Sequence, residues 1–249
     1  MNLVSIIMPY YNKEFYFKES INSVLNQSYK NFELIIIFDD IPERYEKFKT
    51  LIPKDKRIKI FKNKKNLGAG KSRNFGIKKS KGEFIAFIDS DDLWKKNKLY
   101  SQLEFMNNNN LKFSHTSYNI IDKNGRLLKK ILAKKYMSYS DLLKSCDIGL
   151  STVIVRSKLI KKNLFPAIKT KEDYVVWLKL AKKQNTIMGL NKYLTNWRKL
   201  SNSLSSSILQ KVVDAYRVYR YYEKKSIIKT FYQIFILSIN SFKKKGVNL

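Results

Sequence analysis

The chain has 249 residues, 44% of them apolar, which is enough for a packed core in one large α/β domain or two small ones. Its 50 Lys and Arg against 20 Asp and Glu give a net charge of +30, which points to an anionic partner (nucleic acid, an anionic membrane face or a phosphate-bearing small substrate) unless it records only a biased genome rich in Lys, Asn, Ile and Tyr. The single cysteine, Cys146, excludes an internal disulfide and a thiolate metal site and fits a reducing cytoplasm, while the opening MNLVSIIMPYYN lacks the basic stretch and apolar length of a signal peptide or membrane span. In chain order, Leu3 to Met8 reads as a strand, Lys13 to Gln27 as a helix with Ile21, Val24 and Leu25 on one face, and Phe32 to Ile37 as a second strand. A helix follows over Pro42 to Leu51, a strand over Arg57 to Phe61, a helix over Gly70 to Lys79 and a strand over Phe84 to Ile88. Nearly unbroken apolar strands alternating with helices predict a mainly parallel sheet covered on both faces, with ligands at the carboxyl ends of its strands.

Beyond Asp92 the pattern is mixed. A helix is expected over Lys95 to Met106, a strand over Lys112 to Tyr118, and a hairpin turn at Asp122-Lys123-Asn124-Gly125. Ser138 to Ser145 reads as a helix with Ser138 as N-cap, Leu150 to Val155 as a strand and Lys171 to Lys183 as an amphipathic helix. The segment from Ile208 to Leu249 is helical in pattern, basic and aromatic, and too short in apolar length to cross a bilayer.

The strongest local signal is the strand Phe84-Ile85-Ala86-Phe87-Ile88, which ends in Asp89-Ser90-Asp91-Asp92. Clustered carboxylates repel, so a bound hard cation such as Mg²⁺ or Mn²⁺, completed by substrate phosphates, explains them; capping of the next helix is the competing explanation. Gly68-Ala69-Gly70-Lys71-Ser72 contains Gly-Lys-Ser but is no P-loop, because position 65 is lysine, and no dinucleotide fingerprint either, because position 73 is arginine. Glu172-Asp173 opens a helix, where the macrodipole alone favours acidic residues. The lone His115, inside strand-like KFSHTSY, reads as structural.

Four segments, VSIIMPYYN, FELIIIFDD, NLGAGKSRNFGIKKSKGEFIAFIDSDD and KEDYVVWLKL, occur in the order and spacing of the family-2 glycosyltransferases, which the chain resembles from about Leu3 to Ser205. The resemblance implies a GT-A fold, a Rossmann-like α/β sheet flanked by helices. Residues 1–92 would be its nucleotide-sugar half, 93–207 its acceptor half, and 208–249 a helical tail. It also implies an inverting, metal-dependent transfer from a nucleotide-diphosphate sugar, a UDP-sugar above others, to a glycan or lipid-linked hydroxyl, as in bacterial capsule or lipopolysaccharide synthesis. Carried over residue by residue, Pro9 and Tyr11 line the nucleobase and Asp39 accepts from it. Here Asp39-Asp40-Ile41-Pro42 replaces the family's Asp-Asp-Gly-Ser, which leaves open whether Asp39 or Asp40 faces the base, and either could instead cap the next helix. Arg73 would lie near the diphosphate, where a planar guanidinium suits phosphate. Asp91 would serve the ribose and metal region, Asp92 would ligate Mn²⁺ or Mg²⁺ directly, and Asp89 would support them. Glu172 and Asp173 match the family's acidic pair, with Asp173 as general base for the acceptor hydroxyl. Arg198 and Ser203-Leu204-Ser205 resemble the closing segment near the donor.

The rival from another class is a nucleic-acid-binding protein, which the charge and the interleaved Tyr216, Tyr219, Tyr221 and Tyr222 suit but the acidic cluster does not; a third reading is an inactive scaffold on the same fold. No nucleic-acid partner is expected. For the tail two expectations stand: peripheral contact with the anionic cytoplasmic face of the membrane, through Ile227, Ile228, Phe231, Phe235 and Ile236 with Lys224, Lys225, Lys229 and Lys243 to Lys245, or packing against the catalytic domain or a second subunit.

Overall fold

The computed structural model describes residues 2–184, 187–200 and 207–245, with the side chains of 184 and 242–245 excepted. Ser203-Leu204-Ser205 and the side chains of Lys243 to Lys245 therefore lie outside the described residues. The elements run β1 (Val4–Tyr10), α1 (Glu14–Leu25), β2 (Phe32–Phe38), a 3₁₀ turn (Pro42–Arg44), α2 (Tyr45–Thr50), β3 (Ile58–Lys62), α3 (Ala69–Lys79) and β4 (Phe84–Phe87). Then come β5 (Leu93–Trp94), α4 (Lys98–Asn108), β6 (Phe113–Ile121), β7 (Leu127–Ile131), β8 (Tyr136–Met137), α5 (Tyr139–Lys144), a 3₁₀ turn (Leu150–Thr152), β9 (Ile154–Arg156) and α6 (Ser157–Ile160). The last are α7 (Glu172–Gln184), β10 (Ile187–Arg198), α8 (Ile208–Arg217), a π-helical turn (Val218–Tyr222) and α9 (Ile227–Lys245).

The described strands form one ten-stranded sheet in the order β3-β2-β1-β4-β9-β6-β10-β5, with β7 on β6 and β8 on β10. The first four strands pair in parallel, as their apolar runs require: β1 and β2 are almost wholly buried because helices cover both faces. The expectation of a mainly parallel sheet holds for that half alone. Beyond β4 the ladders are antiparallel except for β6 with β10, so the whole sheet is mixed. Leu150 to Val155, expected as one strand, is a 3₁₀ turn followed by the short β9.

Two glycines set the approach of α3. Gly68, at φ 85°, makes the left-handed turn into the helix, and a Cβ on Gly76 would lie 2.6 Å from Ile7 Cγ2 of β1, so only glycine lets helix and strand meet this closely. Ser138 caps α5 as expected: its hydroxyl accepts from Asp141 N–H at 3.2 Å, and its own N–H donates to the Asp141 carboxylate at 2.9 Å. The tail packs on the body of the protein: Ala215, Val218, Tyr219 and Leu237 belong to the same hydrophobic core as Trp177 and Val176 of α7. Its other side is open, with Ile208, Leu209, Val212, Val213, Ile228, Phe231 and Phe235 exposed.

Candidate active site

The carboxyl ends of β2 and β4 deliver Asp39, Asp40 and Asp89 to Asp92 beside the end of β1, and each aspartate has its own partners there. Tyr11, just past β1, is 49% exposed and offers an open ring, with Pro9 half-buried one turn of strand before it. Asp39 is buried after β2. Its Oδ1 accepts from Asn63 Nδ2 at 2.7 Å and Leu67 N–H at 2.8 Å, and its Oδ2 accepts from Gly68 N–H at 2.9 Å. It thus braces the loop that enters α3 and caps no helix, yet a carboxylate has about four lone-pair sites, so Oδ2 keeps capacity for a donor from a base. Asp40 is buried alongside and bonded to a similar extent, taking the N–H of Asn12 at 2.9 Å and of Ile41 at 2.8 Å and the Arg44 guanidinium at 3.4 Å.

Arg73 of α3 is 4% exposed and does not stand open to a phosphate as expected. One terminal nitrogen donates to Glu172 at 2.5 Å and the other to Asp89 at 2.7 Å, above the face of Phe165. The guanidinium fork is matched to two carboxylates from distant segments, so Arg73 ties the loop after β4 to the start of α7.

Asp92, expected to ligate a metal directly, is fully buried. Its Oδ2 accepts from the Ser151 hydroxyl at 2.5 Å and its Oδ1 from Arg198 N–H at 2.9 Å. Each oxygen takes one donor from beneath, which fixes Asp92 under the acidic loop, while Asp91 and Asp89 are the more open carboxylates, with 14% and 35% of their side chains exposed. Burial, then repulsion from Asp91 and Asp89, pushes the Asp92 carboxyl well above the usual range. Burial also raises Asp91, against the opposing Lys13 ammonium 2.8 Å away. Among the described residues no group of three or more His, Cys, Asp or Glu side chains forms a metal cage. Such a donor set fits a Mg²⁺ or Mn²⁺ that keeps one or two carboxylates and takes its other ligands from phosphates and water.

Arg198, at the end of β10, is likewise a clamp and not an open donor contact. Its guanidinium reaches Asp91 O at 3.0 Å, Lys123 O at 3.0 Å and Glu19 at 2.7 Å, and lies over the Tyr16 ring. Asp173 sits in the first turn of α7, half-buried, with Oδ1 accepting its neighbour's N–H (Tyr174) at 2.7 Å. Burial foremost, then Glu172, pushes its carboxyl up to about 7 against the pull of Arg73, which places it in the range a general base needs at neutral pH. His115 is buried on β6 and pushed down to about 4 by that burial, as suits a structural imidazole.

The structure therefore gathers Asp89, Arg73, Glu172 and Asp173 into one charged cluster, and Asp91, Asp92 and Arg198 into an adjoining one. Sequence reading passed over four residues that complete them. Lys13 pairs with Asp91, Glu19 anchors Arg198, and Ser151 holds Asp92 while accepting Asp89 N–H at 3.0 Å. Tyr118 of β6 is the fourth: burial, then the charges of Cys146, Asp92 and Asp173, keeps its hydroxyl protonated. None of the four carries a motif; the positions are functional only through who stands opposite.

The profile described as Glycosyl transferase family 2 matches residues 5–168. A Bacillus subtilis (strain 168) protein, TuaG, named for teichuronic acid biosynthesis, is 36% identical over 251 residues, covering 98% of this chain and 97% of its own. The Escherichia coli UDP-Glc:alpha-D-GlcNAc-diphosphoundecaprenol beta-1,3-glucosyltransferase WfgD is 42% identical over 206 residues, covering 82% of this chain and 80% of its own. Among solved structures, S. aureus TarS 1-349 in complex with UDP-GlcNAc superposes with a TM-score of 0.69 at 24% identity, covering 97% of this chain and 72% of that one, a likeness of fold.

Proposed function

The chain belongs to glycosyl transferase family 2 and is a glycosyltransferase, and from that premise we propose that it inverts the anomeric carbon as it moves a sugar from a UDP-sugar to a hydroxyl of a lipid-linked or glycan acceptor in bacterial surface-glycan synthesis. The observation that carries this reading is Asp173, a carboxyl raised to about 7 and set beside the outward-facing acidic loop. In a single displacement Asp173 takes the proton of the acceptor hydroxyl while the acceptor oxygen bonds to the anomeric carbon. The bond from that carbon to the diphosphate oxygen breaks, and the nucleoside diphosphate leaves with the electron pair. Tyr11 and Pro9 wall the base, Asp39 accepts from it, and Arg73 keeps Asp89 and Glu172 in register with Asp173. A Mg²⁺ or Mn²⁺ held by Asp91 and Asp89 would supply Lewis-acid relief of the charge developing on the leaving group. WfgD, by its name, uses UDP-Glc and a diphosphoundecaprenol-linked sugar, which supports this donor and acceptor class here.

The same reading places the protein at the cytoplasmic face of an anionic membrane, held peripherally by α8 and α9. No helix among the described residues is long and apolar enough to cross a membrane. The exposed apolar faces of the two helices adjoin where Tyr216 meets Phe231, their ring centroids 6.0 Å apart. The two acidic residues of 207–241, Asp214 and Glu223, are buried and paired with Arg217 and Lys182, so the outward charge of the stretch, to which Lys224, Lys225 and Lys229 contribute, is positive. Apolar residues framed by cations suit an anionic interface and repel a second copy of the same face.

The experiment is transfer from UDP-sugars to a diphosphoprenyl-linked acceptor, with the product anomer read by NMR and Asp173→Asn beside the wild type. Inversion and a rate loss of about 10²–10⁴ with donor affinity kept support the reading. Retention of configuration, or an unimpaired Asn variant, removes Asp173 from the chemistry, and UDP binding with no turnover would favour the inactive scaffold.

A further inference from the structure

α8 is joined to the start of α7 by one buried side chain. Asp214 of α8 is fully buried, and its Oδ2 accepts from both the N–H and the hydroxyl of Thr170, each at 2.9 Å. Gln210 donates to the same oxygen at 2.9 Å and Arg217 to Oδ1 at 3.0 Å, so the carboxylate is fully supplied with donors. Burial alone would raise this carboxyl, but Gln210, Thr170 and Arg217 outweigh it and hold it below the usual range. The residue after Thr170, Lys171, has φ 63°, a left-handed backbone that a non-glycine residue keeps only when its surroundings impose it. Lys171 O then accepts the N–H of Val175, and Glu172 and Asp173 form the first turn of α7. A line of contacts thus runs from α8 through Thr170 and a strained Lys171 to the proposed base.

We propose that Asp214 is a positioning residue for Asp173: by holding Thr170 through two hydrogen bonds it fixes the left-handed turn at Lys171 and so aims the first turn of α7 at the acceptor. The inference rests on the reading of Asp173 as base, and it makes α8 part of the catalytic arrangement. Three other elements set the charge around Asp173: Arg73 from α3, Asp89 from the loop after β4 and Tyr118 from β6, with Glu172 beside it on α7. None of these contacts Asp214 in the structure's hydrogen bonds or ion pairs, so an effect of Asp214 on Asp173 has to pass along the 170–173 backbone.

The test uses the full chain with Asp214→Ala, Asp214→Asn, Thr170→Val and Asp173→Asn, reading kcat, the KM of donor and acceptor, the pH profile of kcat and the melting midpoint. Asp214→Ala and Thr170→Val are expected to lower kcat by roughly ten- to a hundred-fold, the cost of a misplacement of about 1 Å, with donor KM unchanged. They should also move the acid limb of kcat below 7, because a loosened turn lets water reach Asp173. Asp214→Asn, which keeps an oxygen acceptor toward Thr170, restores most of kcat. Thr170→Val tests the same contact should Asp214→Ala fail to fold. If Asp173→Asn is impaired while Asp214→Ala and Thr170→Val keep wild-type kcat and acid limb, or lose kcat only in step with stability, this proposal falls and the base stands. An unimpaired Asp173→Asn overturns both.

Discussion

Replacing Arg73 with methionine removes a cation shared by the 172–173 turn and the acidic loop while keeping most of the side chain's aliphatic volume. The guanidinium is buried and bonded to Glu172 at 2.5 Å and Asp89 at 2.7 Å, so its loss strands two carboxylates, with Asp173 alongside. Breaking a buried ion pair from one side costs about 3–5 kcal/mol, and because water still reaches the Asp89 side chain, 35% exposed, the lower end applies. At about 2–4 °C per kcal/mol for a chain of this size, a loss of about 3 kcal/mol lowers the melting midpoint by about 6–12 °C. The pH dependence follows from Asp173. Its carboxyl is raised in the folded state from 3.8 to about 7, so ionising it destabilises the fold progressively as pH climbs through that window. Arg73 opposes the rise, so Arg73→Met should push the carboxyl further up and move the acid limb of kcat to higher pH. The melting deficit should be wider at pH 8 than at pH 5, where Asp173 is protonated in either protein. Arg73→Lys, a point charge that cannot span both carboxylates, should fall between. Calorimetric melts at the two pH values and a pH-rate profile are the assays. A midpoint within about 2 °C of wild type, or an acid limb that stays put or moves down, refutes the assignment of Arg73 as the charge that compensates this cluster.

Mn²⁺ with UDP should raise the melting midpoint of the wild type by mass action. Asp91→Asn should lose that rise and Asp92→Asn should keep it, with a ligand-free midpoint no lower than wild type because it removes a carboxylate that burial and its neighbours disfavour; a rise lost in Asp92→Asn and kept in Asp91→Asn would make Asp92 the ligand. Vesicle sedimentation should show salt-sensitive binding to anionic but not neutral bilayers, weakened by Ile228→Ser and Phe231→Ser, and equal binding to both bilayers would count against the membrane role. Gly76→Ala, which on an open helix face would gain up to about 1 kcal/mol, should instead cost about 1–3 kcal/mol by forcing its Cβ into Ile7, and a stabilised variant would contradict that packing.

Legibility in the sequence followed burial. β1, β2 and β4 show as apolar runs because helices cover both their faces, and their ends mark where Asp39 and Asp89 to Asp92 stand. β10 was missed. Its residues IMGLNKYLTNWR hold no clean alternation, since the register with β6 shifts twice, between Leu190 and Tyr193 and between Tyr193 and Thr195. Ser151 was hidden for a related reason: Leu150 to Val155 together suggest one strand, yet its first three residues turn and bring a hydroxyl under Asp92. Asp39, Arg73, Asp92 and Arg198 could be picked out by position, but whether each faces a ligand or the protein's own interior depends on partners that lie far away in the chain. Arg73 illustrates this, since Glu172 is 99 residues further on.

The Arg198 clamp also has a bearing on synthesis. Strands β1 to β4 and their crossovers have all been synthesised once residue 92 has been made, well before the strand that carries Arg198. Asp92 nevertheless waits for Arg198 N–H, 106 residues later, and Glu19 waits for the same residue's guanidinium across a separation of 179. Until β10 has been made, the acidic loop of residues 1–92 lacks both of these ties. Closure of the loop by this clamp therefore has to follow the synthesis of β10 and not merely that of the strands that carry the loop.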